Sequence, residues 1–210
     1  MGLDTYFYRA KLEYTPTITL SESALSELEK VLGPELFDTV KEKSKSSNTT
    51  IEKFINHAVH YYVDSIDKNK STSTLTEVAY FRKFWSLMNI LNYNDPYTYL
   101  SIPKEKIEEL KEMARKTLLM VEKDIKEHGW EIEESPLNKD SDGNWYTDYK
   151  LANGIFTESM QEKADSICEE VYDESDAFLY HKTVTLYQSF SDILEKTDWD
   201  NEQILMSADW

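Results

Sequence analysis

An α+β fold, mainly helical, with a helical bundle packed on a small sheet formed near the chain termini, is what this sequence predicts. Three observations predict it. Apolar residues recur at steps of three and four over several long stretches, the spacing of one helix face. Short runs rich in Tyr, Thr, Phe and Ile stand near the N-terminal end, and a short apolar run closes the chain, as strands would. Gly and Pro number only five each in 210 residues, too few for long linkers, while 40% of residues are hydrophobic, enough for one core. The chain therefore reads as a single domain over residues 1–210.

The elements follow in order. Residues 3–20, LDTYFYRAKLEYTPTITL, predict one or two strands broken near Pro16. Alternation puts Thr5, Phe7 and Arg9 on one face and Asp4, Tyr6 and Tyr8 on the other. Neither face is wholly polar, so this strand is expected to be covered on both sides. Ser21 caps a predicted helix to about Leu32, ended by Gly33-Pro34, and a short helix follows around 35–43. Thr49-Thr50-Ile51-Glu52 fits a capping box, and Ile51, Phe54, Ile55, Ala58, Val59, Tyr62, Val63 and Ile66 continue it at helical spacing.

The stretch LTEVAYFRKFWSLMNILNY places Phe84, Leu87, Met88 and Leu91 on one helical face. Its opening, Glu77–Tyr80, alternates and reads equally as a short strand. Ser101 and Pro103 suit the first turn of a long helix to about Glu127. In it Ile107, Leu110, Ala114, Leu118, Val121 and Ile125 form a seam, either buried or a coiled-coil contact. Gly129 stops that helix. WEIEE and NWYTDY predict two strands around a turn at Asp142-Gly143. Two helices follow, from Thr157 to about Glu174 and from Asp176 to about Lys196. ILMSADW is a last strand.

Charge is distributed unevenly. The net charge is −17, yet residues 1–126 carry 19 acidic and 18 basic side chains. Residues 127–210 carry 21 acidic and five basic ones. Such an acidic part repels nucleic acid, whose binding needs Lys and Arg against phosphate, and attracts basic partners. Its helix EKADSICEEVYDESD would present Glu162, Asp165, Glu169, Asp173 and Asp176 as a protein-binding acidic face, a row of carboxylates resembling a phosphate backbone. A solubilising surface would have the same composition.

Other constellations are weaker. His57, His60 and Asp64 share a helical face and offer a metal set, but Ala58 stands where the HExxH pattern has its Glu. A solvated face gives the same spacing, and no metal or other cofactor is expected. Asp140, Asp142 and Asn144 alternate as in a calcium loop, yet Gly143 stands at position 4 rather than 6 and Leu151 at position 12. That loop reads as a polar hairpin turn. Cys168, the single cysteine, lies among carboxylates that disfavour a thiolate, so it reads as core. One cysteine allows no internal disulfide, which suits a reducing compartment. No apolar run reaches the roughly 18 residues of a membrane span, and no secretory leader or myristoylation motif is read, since Tyr6 replaces the required Ser or Thr.

Met1–Tyr8, Tyr80–Lys83, Asp198–Asp200 and Ile204–Trp210 together resemble a family of uncharacterised bacteriophage and prophage proteins. Its members begin Met-Gly-Leu-Asp with alternating aromatics, open a helix with an aromatic-Arg-Lys run and end in a strand closed by Trp. Most of residues 20–75 has no counterpart, which makes it an inserted helical segment. The resemblance implies a phage or prophage origin and action in the host bacterial cytoplasm, and assigns no activity. Asp4, Tyr80, Arg82 and Lys83 fall in its blocks without being core types. They read as a ligand-binding set, with Arg82 gripping an anion, or as a structural Asp4–Arg82 pair fixing the strand.

The functional expectation is a non-enzymatic accessory protein. It would bind a host protein, basic or itself nucleic-acid-binding, through the acidic part, without direct nucleic-acid or membrane contact. A small-molecule- or metal-dependent enzyme using the sets above is one alternative. A structural or assembly component self-associating by the Ile107–Ile125 seam is the other. The oligomeric state is not legible in the sequence.

Overall fold

A computed structural model describes residues 3–12, 34, 37–39, 41, 42, 75–93, 99–173 and 178–209. The fold is α+β. Strands β1 (Asp4–Lys11) and β2 (Leu75–Arg82) precede helix α1 (Trp85–Ile90), strand β3 (Leu100–Ile102) and helix α2 (Lys104–Glu127). A two-stranded ribbon, β4 (Ile132–Glu134) with β5 (Lys150–Leu151), comes next. Helices α3 (Glu158–Tyr172) and α4 (Leu179–Lys196) and strand β6 (Glu202–Asp209) complete the order.

The main sheet has the order β2-β1-β6-β3, antiparallel throughout. Strand β1 runs in continuous register against β6, from Asp4 opposite Asp209 to Lys11 opposite Glu202. Against β2 the register slips between Phe7 and Tyr8, where Val78 is the extra residue of a bulge. Leu3, Thr5 and Phe7 are buried on the helix-facing side, while Ala10 is buried on the other with half-buried Tyr8. β1 is thus buried on its helix-facing side and only partly covered on the other, where Asp4, Tyr6 and Tyr8 are half-buried.

The helices pack on one face of this sheet. Phe7, Phe81 and Phe190 meet edge to face, with Phe7 and Phe190 centroids 5.1 Å apart. Such aromatic contacts add about 0.5–1.5 kcal/mol each beyond area burial. α4 lies against α2, α3 and β2 and buries Leu179, Tyr180, Leu186, Phe190 and Ile193. Its last turn is closed by Arg9 Nη1, which donates to the Lys196 carbonyl at 2.8 Å, while Arg9 Nε lies 3.6 Å from Glu202. The α2 seam from Ile107 to Ile125 is fully buried within the chain. It is therefore a core face, closed to the self-association that an assembly role would draw from it.

Several boundaries differ from the sequence expectation. Ser101 belongs to β3, not to the first turn of α2, because Leu100–Ile102 pair with Ile204–Met206. The 75–93 stretch divides: β2 takes Leu75–Arg82, and the helix keeps only Trp85–Ile90. The switch comes at Lys83, in the left-handed region at φ 54°, whose N–H donates to Leu3 O at 2.6 Å. The partner of β4 is Lys150–Leu151, not NWYTDY, which contributes only a bridge from Trp145 to Lys139. The predicted helices over 21–32 and 49–66 lie outside the described residues. So do His57, His60 and Asp64. Of the predicted 35–43 helix, the described positions 37–39, 41 and 42 are helical.

Candidate docking surface

The end of α2 builds one wall of a cleft. His128 N–H donates to Asp124 O at 3.1 Å, Gly129 N–H to Lys126 O at 3.0 Å and Trp130 N–H to Ile125 O at 3.2 Å. Gly129 adopts φ +84°. This is a Schellman motif, in which the residue after the glycine packs on the third-last helical residue. Those two residues, Trp130 and Ile125, both line a cleft of about 210 Å³ between α2 and α3. Val121, Met160, Ala164 and Ile167 supply its other apolar walls; Asp124, His128, Ser159 and Lys163 form its polar margin. Gly154 supports Trp130 from behind, close enough that a Cβ there would collide with the ring.

The far wall comes from α3, which begins at Thr157; its hydroxyl accepts from Met160 N–H at 3.4 Å. Ala164, Cys168 and Tyr172 are the buried residues of α3. Met160, Ile167 and Val171, which share helical spacing with Ala164, lie beside that face rather than on it. Met160 and Ile167 remain half-buried and line the cleft.

The electrostatics of α2 and α3 differ. On α2, Glu108, Glu109, Glu112, Glu122 and Glu127 each have a Lys or Arg partner within 4.0 Å one turn away. Glu158, Glu162 and Glu170 on α3, and Asp173 just past its end, are exposed, and among the described residues none of them makes an ion pair. The other acidic-face residues are placed differently. Asp165 is half-buried, and its Oδ1 accepts from Tyr180 N–H at 2.7 Å, so it caps the N-terminus of α4. Glu169 is half-buried. Asp176 lies outside the described residues.

The Asp4 set comes together at the end of the β1–β2 pair, on the sheet face away from the helices. Asp4 stands opposite Arg82 in register, but the two side chains make no ion pair. Instead the hydroxyl of Tyr80, two residues before Arg82 and so diagonal to Asp4 on the same face, donates to Asp4 Oδ1 at 2.9 Å. Burial and that hydrogen bond to a carboxylate raise the Tyr80 phenol above its ordinary value. Arg82 and Lys83 are exposed, and the Lys83 carbonyl accepts from Lys182 Nζ at 2.7 Å.

Two further expectations concern single residues. Asp140 Oδ1 accepts from the N–H groups of Asp142 and Asn144, both at 2.9 Å, and those backbone bonds hold its carboxyl below the usual range. Its carboxylate closes its own turn. Cys168 is fully buried, receives the Thr183 hydroxyl at 3.6 Å, and has its thiol pushed up to about 12 by burial. Among the described residues no group of three His, Cys, Asp or Glu is arranged to hold a metal, and no helix is long and apolar enough to cross a membrane.

Sequence reasoning missed the cleft. The signal for it was the Gly129-Trp130 step, a helix stop followed by a large aromatic. Comparison with protein-family models, curated proteins and solved structures gives no match to this chain.

Proposed function

We propose that this chain is a non-enzymatic accessory protein of phage or prophage origin, working in the bacterial host cytoplasm. It binds a basic host protein, such as a nucleic-acid-binding one, through the acidic surface of residues 127–210. The single observation supporting this is the contrast between the two exposed helices. α2 pairs Glu108, Glu109, Glu112, Glu122 and Glu127 with cations one turn away and leaves Glu105 unpaired, whereas among the described residues none of Glu158, Glu162 and Glu170 on α3, nor Asp173 at its C-terminal end, makes an ion pair. Uncompensated carboxylates along one helix repel each other and gain most from a cationic partner.

The test is affinity capture from a bacterial lysate. Wild type is compared with E158Q/E162Q/E170Q/D173N, which spares Asp165 and its capping bond. The reading expects basic proteins to be held by wild type, lost from the variant, and released by raised salt. Equal capture by both proteins, surviving raised salt, would overturn it.

A further inference from the structure

We propose that the α2–α3 cleft is the specificity pocket of this acidic surface, receiving one large apolar side chain carried by a Lys- or Arg-rich segment of the partner. The inference rests on the function proposed above and narrows its partner to segments combining an apolar anchor with flanking positive charge.

The cleft is preformed. Ala164, Val121 and Ile125 are at most 3% exposed, so its floor belongs to the core. Trp130 is fixed by the Schellman turn on one side and by Gly154 on the other. An apolar cavity of about 150 Å³ accepts a benzene-sized group. At about 210 Å³ this cleft has room for a Leu, Met or Phe side chain. Trp130, 37% exposed, offers the rigid aromatic surface that dominates interface energetics.

Charge sorts the occupant. The cleft walls are mainly apolar, and the one Lys at the margin, Lys163, is set against the single carboxylate there, Asp124, so the interior offers an ammonium group no net attraction. Exposed Glu131 follows Trp130, and exposed Glu170 shares a helical face with Ile167 and Lys163. The carboxylates therefore lie outside the apolar walls, where they meet cations flanking an inserted side chain. Nucleic acid is disfavoured, because its phosphates meet carboxylates that repel them.

The experiment titrates the full chain with three 12-residue helical peptides: a Lys/Ala background with central Leu, the same with central Ser, and a Glu/Ala background with central Leu. Affinity is read by fluorescence anisotropy, and occupancy by the NMR shift of the Trp130 indole N–H. The Lys/Leu peptide is expected to bind at least tenfold tighter than the other two and to move the Trp130 resonance. S159W, at an exposed position on the margin, is expected to fill the cleft and erase the Leu-over-Ser preference while keeping the weak binding of both Lys peptides. M160Q serves as a second variant if S159W alters thermal unfolding. Equal binding of the Leu and Ser peptides would overturn the pocket and leave the acidic-surface reading standing. Lys-peptide binding untouched by E158Q/E162Q/E170Q/D173N would overturn that reading instead. Glu/Leu binding as tight as Lys/Leu, or concentration-dependent dimerisation abolished by S159W, would overturn the basic occupant in favour of an uncharged ligand or a second copy.

Discussion

Gly154 lies directly against the Trp130 ring: a Cβ on residue 154 would stand 2.5 Å from Trp130 Cζ3 and 3.1 Å from Cε3. No carbon tolerates that approach, so G154A must displace the indole. Because the ring is partly exposed it can move, and the cost is that of an off-rotamer shift, about 0.5–1.5 kcal/mol. Urea unfolding of G154A should show that loss, with a red-shifted tryptophan emission from the native state. An unchanged spectrum would mean that the ring does not rest on Gly154.

Asp165 should matter for stability rather than for charge alone. Its carboxylate accepts from the second residue of α4 at 2.7 Å, satisfying one of the free N–H groups at that helix start. D165A is expected to cost about 1–2 kcal/mol in urea unfolding, a cap-sized loss. E162Q, on the exposed flank, should change stability by less than about 0.5 kcal/mol.

Asp192 ties the 135–149 segment to α4. It accepts from Trp145 Nε1 at 3.0 Å, Lys139 Nζ at 3.1 Å and Lys196 Nζ at 2.7 Å. Burial pulls its pKa up, but the hydrogen bonds from Lys196, Trp145 and Lys139 together outweigh it and hold the carboxyl below its usual value. A carboxyl depressed in the folded state adds stability above its unfolded value, about 3.9, and loses it as pH falls through the folded value. Wild type should thus exceed D192N by about 1 kcal/mol near pH 6, with the gap closing below about pH 4. A gap independent of pH would contradict the assignment.

Cys168 should be silent in the native protein. With its thiol fully buried and pushed up to about 12, reaction with a disulfide reagent at pH 8 requires opening of the α3–α4 contact. The labelling rate should be negligible in buffer and rise with urea in parallel with unfolding.

Much of the architecture was legible because burial imposes period. The α2 seam was readable residue by residue, since every member is buried. Strand β1 was readable from its mixed alternation. What the sequence hid was non-local. Nothing local distinguishes Ser101 at the head of a helix from Ser101 in a strand; the pairing with Leu205 decides it. The Asp4–Tyr80 bond replaced the Asp4–Arg82 pair because register puts a hydroxyl within diagonal reach. The cleft was obscured because Met160 and Ile167 share helical spacing with Ala164, and only the packing of α3 shows that those two stay half-buried at the cleft while Ala164 and Cys168, with Tyr172, are the buried residues. Of the acidic row, the sequence supplied the carboxylates but not that Asp165 is engaged at the start of α4.

The central claim concerns where a partner binds, and a hydrogen-exchange footprint tests it most directly. The chain is compared free and saturated with the basic protein it captures. The account predicts added protection over Glu158–Asp173 and at Trp130, with the outward face of α2 unchanged. Protection confined to the self-paired flank of α2, or to the sheet face carrying Tyr80 and Arg82, would contradict it.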